Sequence, residues 1–173
     1  LGKTVMFVRV AQHYLPQGRV MVVADRIELL QQARGEFKEA TGILPDLEQG
    51  DNKACRGMFK SPIVTAMIQS LRSGKDRKRW EDFDPNEFAL VIYDEADLAL
   101  SPSYLDSWAH FSENPNIKLL GVTATPIRHD GKDLGELFAS RCFDFPICDA
   151  IPQGWLVPVR QRYLEIMVNL DGV

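Results

Sequence analysis

Ala89-Leu90-Val91-Ile92-Tyr93-Asp94-Glu95-Ala96-Asp97 joins the strongest strand candidate in the chain to a group of three acids. The apolar residues show no alternation, so both faces of this strand are predicted to be buried, as in the middle of a parallel sheet. Three further runs share that character: Arg19 to Ala24 after the turn at Pro16-Gln17-Gly18, Ile63 to Ala66 after Pro62, and Ile117 to Val122. Between the first two, Ile27, Leu29, Leu30, Ala33, Phe37 and Ala40 recur at helical spacing, and Thr41-Gly42 closes the helix. Helical material is also expected around Tyr104 to Phe111. Phe143 to Ile147 and Val157 to Val159 are weaker strand candidates. Short strands alternating with helices specify an α/β domain, with a mostly parallel central sheet and helices on both faces. Ligands of such sheets bind beyond the C-terminal strand ends, so the residues just after each run are the ones to inspect.

Composition sets the bounds. The chain has 173 residues, 45% hydrophobic and 25% charged, which predicts about one domain with its own core. A disordered tail and a disulfide-stapled mini-protein are excluded on composition. No uncharged apolar run reaches the length needed to span a bilayer, and no signal-peptide pattern opens the chain, so no membrane partner and a cytoplasmic setting are expected. The net charge of −4 is unevenly spread. Residues 1–80 hold 14 Lys/Arg against 8 Asp/Glu, and residues 81–173 hold 6 against 16. The basic half could face a nucleic-acid backbone, or the two halves could fold back on each other. Ser73 to Asp84, the most polar segment, reads as a solvated connector. Its basic run Lys75, Arg77, Lys78 and Arg79 beside Trp80 fits a solvated loop better than a binding patch. Cys55, Cys142 and Cys148 have no CxxC spacing and are expected to be free buried thiols rather than zinc ligands.

Three motifs fall at positions where a site is expected. Gly2-Lys3-Thr4 precedes apolar residues at helical spacing, Val5, Val8, Ala11 and Leu15. In a phosphate-binding loop the amides and helix N-terminus cradle phosphates, the Lys reaches their oxygens, and the Thr hydroxyl ligates Mg²⁺. The tripeptide alone is a common one. Asp94, Glu95 and Asp97 follow the central strand, where one carboxylate can bind Mg²⁺ and the next can take a proton from an attacking water. Helix capping would account for one such acid but not for three together. Thr123-Ala124-Thr125-Pro126 begins 29 residues after Asp94. Its hydroxyls can hydrogen-bond to the acids, though an ordinary threonine turn would look the same.

Taken together, the segments resemble the first RecA-like motor domain of superfamily 2 helicases and translocases. GKT is similar to the end of motif I, ALVIYDEAD to motif II, and GVTATPIRHDG to motif III with its trailing segment. VMVVADRIELLQQA resembles motif Ia, IVTAMIQSL the next nucleic-acid-contacting motif, and the stretch Ile151 to Pro158 the linker-side end. The TATPxRxDG form is nearer to restriction-subunit-like and repair-type members, of bacterial or phage type, than to the RNA-handling group. The resemblance implies a RecA-like P-loop NTPase fold over residues 1–173 as a single ATP-binding domain. It implies ATP and Mg²⁺ as cofactors, with Gly2, Lys3 and Thr4 at the phosphates, Thr4 and Asp94 at the metal, and Glu95, with Asp94 and Lys3, as the hydrolytic centre. Asp97, Thr123 and Thr125 would couple nucleotide state to nucleic acid, DNA rather than RNA, held by Arg26, Thr65 and Gln69. Arg128 and Asp130 match the pattern without an assigned step. The start of the phosphate loop and the second RecA-like domain, with the arginine fingers that speed related reactions by about 10³–10⁵, are expected elsewhere in a larger polypeptide. A non-catalytic RecA-like scaffold that binds nucleic acid or protein is the alternative.

Overall fold

A computed structural model describes residues 2–54, 60–125, 133–158 and 160. The chain divides into two units, Leu1–Ala139 and Ser140–Val173. In the first unit the order is α1 (Lys3–Tyr14), β1 (Arg19–Ala24), α2 (Ile27–Thr41), β2 (Asp46–Glu48), β3 (Ile63–Met67), α3 (Ile68–Arg72), β4 (Phe88–Asp94), α4 (Pro102–Phe111) and β5 (Lys118–Val122). The sheet order is β2-β3-β1-β4-β5, and every pairing is parallel. Fold class and the four main strands are as the hydrophobic pattern predicts.

Alternate residues of each strand serve opposite faces, which gives the unit two cores. Val20, Val22, Ile63, Leu90 and Ile92 pack with Phe7, Val8 and Ala11 of α1 and Ala33 and Phe37 of α2. Met21, Val23, Val64, Val91 and Tyr93 pack with Leu71 of α3 and with Tyr104 and Phe111 of α4. The uninterrupted apolar runs follow directly from burial on both sides. Among the described residues, no helix is long and apolar enough to cross a membrane.

The polar connector is only partly solvated. Within Ser73 to Asp84, Trp80 and Phe83 are buried in the core. Arg79 reaches the buried carboxylate of Glu48 at the end of β2, and it donates to the carbonyls of Gly50 (2.6 Å) and Asn52 (2.7 Å). The Glu48 carboxylate also accepts the Ala54 amide at 2.7 Å. A buried ion pair with further hydrogen bonds therefore pins the edge strand to the connector. Arg77 lies beside Glu81 and Asp82, and Lys78 Nζ donates to the Gly74 carbonyl at 3.2 Å. β2 has three residues, two of them acidic, and gives no apolar signal in the sequence.

At the N-terminal end of the sheet, Arg19 joins three strands. Its guanidinium donates to Ser61 O (3.1 Å) and Glu87 Oε2 (2.9 Å) and lies over the Phe88 ring at 5.0 Å.

In the second unit, Phe143 to Pro146 is irregular and exposed, and Ile147–Ala150 forms a short helix, α5, after Pro146. Neither weak strand candidate forms among the described residues. Val157 lies in irregular chain and Val159 lies outside the described residues. Proline interrupts both segments and removes a ladder donor. Cys142 and Cys148 are exposed, against the expectation of burial, while Cys55 is outside the described residues.

Two outcomes test this account. A Cβ built on Gly121 of β5 would lie 2.5 Å from the Phe138 ring and 2.8 Å from the Ala96 side chain. Gly121→Ala is expected to destabilise the domain by about 1–3 kcal/mol, seen as a lowered denaturation midpoint. Glu87 is held below its ordinary value of 4.5, chiefly by the hydrogen bond from Lys60, with burial opposing and Arg19 assisting. The native state thus binds fewer protons than the unfolded state between the lowered value and 4.5, so this stabilisation is complete above that window and is lost as pH falls through it. Partial exposure keeps it under about 1 kcal/mol. Glu87→Gln should lower stability slightly at pH 7 and leave it unchanged in acid.

Candidate active site at the strand ends

The register sets the geometry. Val23 pairs with Tyr93 and Asp94 with Val122, so Asp25, Asp94–Glu95 and Thr123 emerge side by side at the C-terminal edge. Asp94 is buried at 4% exposure. Burial raises its pKa above the ordinary value of 3.8, with Lys3 acting in the opposite direction. Glu95 has φ 52° and ψ 58°, a left-handed conformation that costs a residue with a Cβ about 1–2 kcal/mol. Its amide donates to Asp94 Oδ1 at 3.1 Å.

From the other end of the sequence, Lys3 reaches the same point. Its Nζ lies 2.6 Å from Glu95 Oε1 and 4.0 Å from Asp94 Oδ1. Lys3 opens α1, and Gly2 before it takes φ 65°, a value suited to glycine. No side chain caps this helix, so its first amides and positive dipole end are left without a side-chain partner. Thr4 is half-buried in the first turn.

Asp97 Oδ1 accepts the Thr123 hydroxyl at 3.1 Å, and Thr123 Oγ1 accepts the Thr125 amide at 3.0 Å. Thr125 itself is exposed. The structure therefore brings Lys3, Asp94 and Glu95 together, with Asp97 and Thr123 as a second linked pair alongside.

Arg26 occupies the N-cap position of α2, and its side chain is 74% exposed, with Nε 3.8 Å from Asp25 Oδ2. Exposed Gln69 donates through Nε2 to the Asp25 carbonyl at 3.1 Å. These two converge on Asp25, a residue that the reading of motifs passed over although it stands immediately after β1, where the strand-end rule points. Thr65 does not join them. It is fully buried within β3, and its hydroxyl donates to Asp46 O at 3.1 Å. Thr65 has no surface to offer a phosphate, which corrects its assignment as a nucleic-acid contact. Arg128 and Asp130 lie outside the described residues.

Comparison with known proteins shows the family. The family described as the type III restriction enzyme, res subunit, matches residues 1–128. The chain is 30% identical over 167 residues to the putative mitochondrial ATP-dependent helicase irc3 of Schizosaccharomyces pombe, covering 90% of this chain and 26% of that protein. It is 32% identical over 110 residues to the DNA 3'-5' helicase XPB of Mycobacterium tuberculosis, covering 62% of this chain and 19% of the other. The chain thus spans about a quarter or less of these relatives. In fold it is similar to the helicase domain of Pyrococcus furiosus Hef, with a TM-score of 0.62 at 20% identity over 73% of this chain and 28% of that one. With well over half its length matched, the chain belongs to the type III restriction enzyme res subunit family.

Proposed function

We propose that residues 1–173 are the ATP-binding RecA-like motor domain of an ATP-dependent DNA helicase or translocase, working with a second RecA-like domain of the same polypeptide. The observation that carries this reading is the meeting of the Lys3 ammonium with Asp94 and Glu95 at one sheet edge. The names of the relatives support nucleotide use, and the one called a DNA 3'-5' helicase favours DNA over RNA.

The residues suit Mg²⁺-ATP. The uncapped start of α1 and the Lys3 ammonium favour a polyphosphate. Thr4 and Asp94 offer the hard oxygen donors that Mg²⁺ takes, and Asp94 is a buried carboxylate that needs a cation beside it. Bound Mg²⁺-ATP supplies the phosphoryl group that is transferred to water. Phosphate oxygens would compete with Glu95 for Lys3. Release from the ammonium would leave Glu95 Oε1 able to accept a proton from the attacking water. Asp97 and Thr123 would carry a change at the acids toward Thr125. Arg26 and Gln69, both exposed, would meet the DNA backbone.

The test uses the full-length protein. Glu95→Gln should retain saturable Mg²⁺-dependent binding of a labelled ATP analogue while DNA-stimulated turnover falls by about 10²-fold or more. Lys3→Ala should lose the binding itself. Unchanged turnover in Glu95→Gln would refute the assigned role, and absence of saturable binding in the wild type would favour the non-catalytic scaffold.

A further inference from the structure

Of the basic run Lys75, Arg77, Lys78 and Arg79, the last turns inward. The Arg79 side chain is 11% exposed, against 58% for that of Arg77, and the Glu48 carboxylate it meets is 1% exposed. A buried ion pair is a poor source of stability, because desolvation offsets most of its attraction and apolar side chains of similar volume often serve a fold as well. What this pair does follows from the other groups that the guanidinium holds. After β2, Gln49 and Asn52 exchange backbone hydrogen bonds of 3.1 and 2.9 Å, closing a tight loop. Arg79 donates to two carbonyls of that loop, those of Gly50 and Asn52. Around its fork thus lie one carboxylate and two carbonyls, a set that the compact ammonium of lysine does not match.

The loop carries this order to α3. The Gly50 amide donates to Ser70 Oγ at 3.0 Å. The Arg79 backbone amide donates to the carbonyl of Ser73, the C-cap residue of α3, at 3.1 Å. Such support is needed. α3 has five residues, and its N-cap, Met67, has no side-chain oxygen to offer the first amides. A helix of that length does not persist in water on its own. Ile68 and Leu71 bury its apolar side. Next to Ser70 stands Gln69, whose Nε2 donates to the Asp25 carbonyl at 3.1 Å, and Asp25 Oδ2 lies 3.8 Å from Arg26 Nε. Each step from Arg79 to Arg26 is therefore a direct contact or a peptide bond, a contiguous network rather than mere proximity.

We propose that Arg79 is a positioning residue for the DNA face. Paired with the buried Glu48, it fixes the loop from Gln49 to Asn52 against Ser70, and so sets α3 with Gln69 resting on the Asp25 turn beside Arg26. The inference rests on the functional reading above for what Gln69 and Arg26 bind.

The experiment compares full-length wild type, Arg79→Lys, Gln69→Ala and their double variant in ATPase assays titrated with a DNA duplex bearing a single-stranded tail. Arg79→Lys should raise the half-saturating DNA concentration about five-fold or more, the lower end of typical coupling between sites. Its rate without DNA and its maximal rate at saturating DNA should match wild type. Combined with Gln69→Ala, it should give less than the product of the two separate effects, because both act on one contact. The apolar pair Glu48→Leu/Arg79→Met removes both buried charges together. Its denaturation midpoint should stay near wild type, while its half-saturating DNA concentration rises as in Arg79→Lys. Amide hydrogen exchange without DNA reads the link directly: the Gly50 amide should exchange faster in Arg79→Lys, with the β4 amides unchanged. An unchanged half-saturating concentration in Arg79→Lys, full additivity with Gln69→Ala, or unchanged exchange at Gly50 would each overturn the proposal. Loss of maximal rate rather than DNA affinity would overturn it too. A wild-type protein with no DNA-stimulated turnover at all would instead refute the functional reading, while the exchange measurement would still decide the positioning.

Discussion

One ammonium set against two carboxylates organises this domain. Lys3 and Glu95 are ninety-two positions apart in the sequence, yet their charged atoms are 2.6 Å apart. That contact requires α1 to lie across the sheet with its N-terminus at the C-terminal strand edge, β4 to be central, and the Asp94–Glu95 turn to face α1. Parallel pairing supplies all three conditions, because every crossover returns the chain to the same starting edge. The Lys3, Asp94 and Glu95 side chains are thus gathered at one edge. The other edge holds the Arg19, Glu87 and Lys60 cluster, whose ion pairs tie the strand starts together.

The site conflicts with local preference. Glu95 takes a left-handed backbone conformation although it carries a Cβ, and it is the only described non-glycine residue with positive φ. Strain of this kind persists where surrounding structure over-determines it. Here the Asp94 carboxylate receives the Glu95 amide, Ala96 is held against Gly121, and Lys3 faces the side chain. Gly121 matters for the same reason. A side chain there would push on Ala96, and the turn bearing the acids would have to move.

Much of the fold was legible because burial on both faces leaves an unmistakable mark. The runs at Arg19 to Ala24, Ile63 to Ala66, Ala89 to Tyr93 and Ile117 to Val122 need no alternation, and each became a strand of the sheet within a residue or so. β2 was hidden because its three residues, Asp46, Leu47 and Glu48, carry two charges, and its place depends on Arg79 thirty-one positions after Glu48. Sequence spacing cannot show such a pair. Thr65 illustrates the opposite error. Motif resemblance places it near nucleic acid, but the strand continues through it to Met67, so its hydroxyl is spent inside the sheet. Asp25 was visible in position but carried no motif weight, and only coordinates show two exposed side chains resting on it.

Asp94 shows how stability and chemistry are set against each other at this edge. A carboxylate at 4% exposure loses most of its hydration, and its raised pKa means that the fold disfavours the charged form relative to the unfolded chain. The native state therefore binds more protons than the unfolded state just above the ordinary carboxylate range, and Asp94 lowers stability progressively as pH rises through its raised value. Lys3 at 4.0 Å offsets part of this cost, and Glu95 and Asp25 add to it. A residue chosen for packing alone would be apolar here, as Tyr93 and Ile92 are on the same strand. What removes the penalty is a cation brought close to Asp94. The charge that destabilises this edge is the same charge that would give a metal-bearing polyphosphate its affinity, so binding and folding would be linked through one side chain.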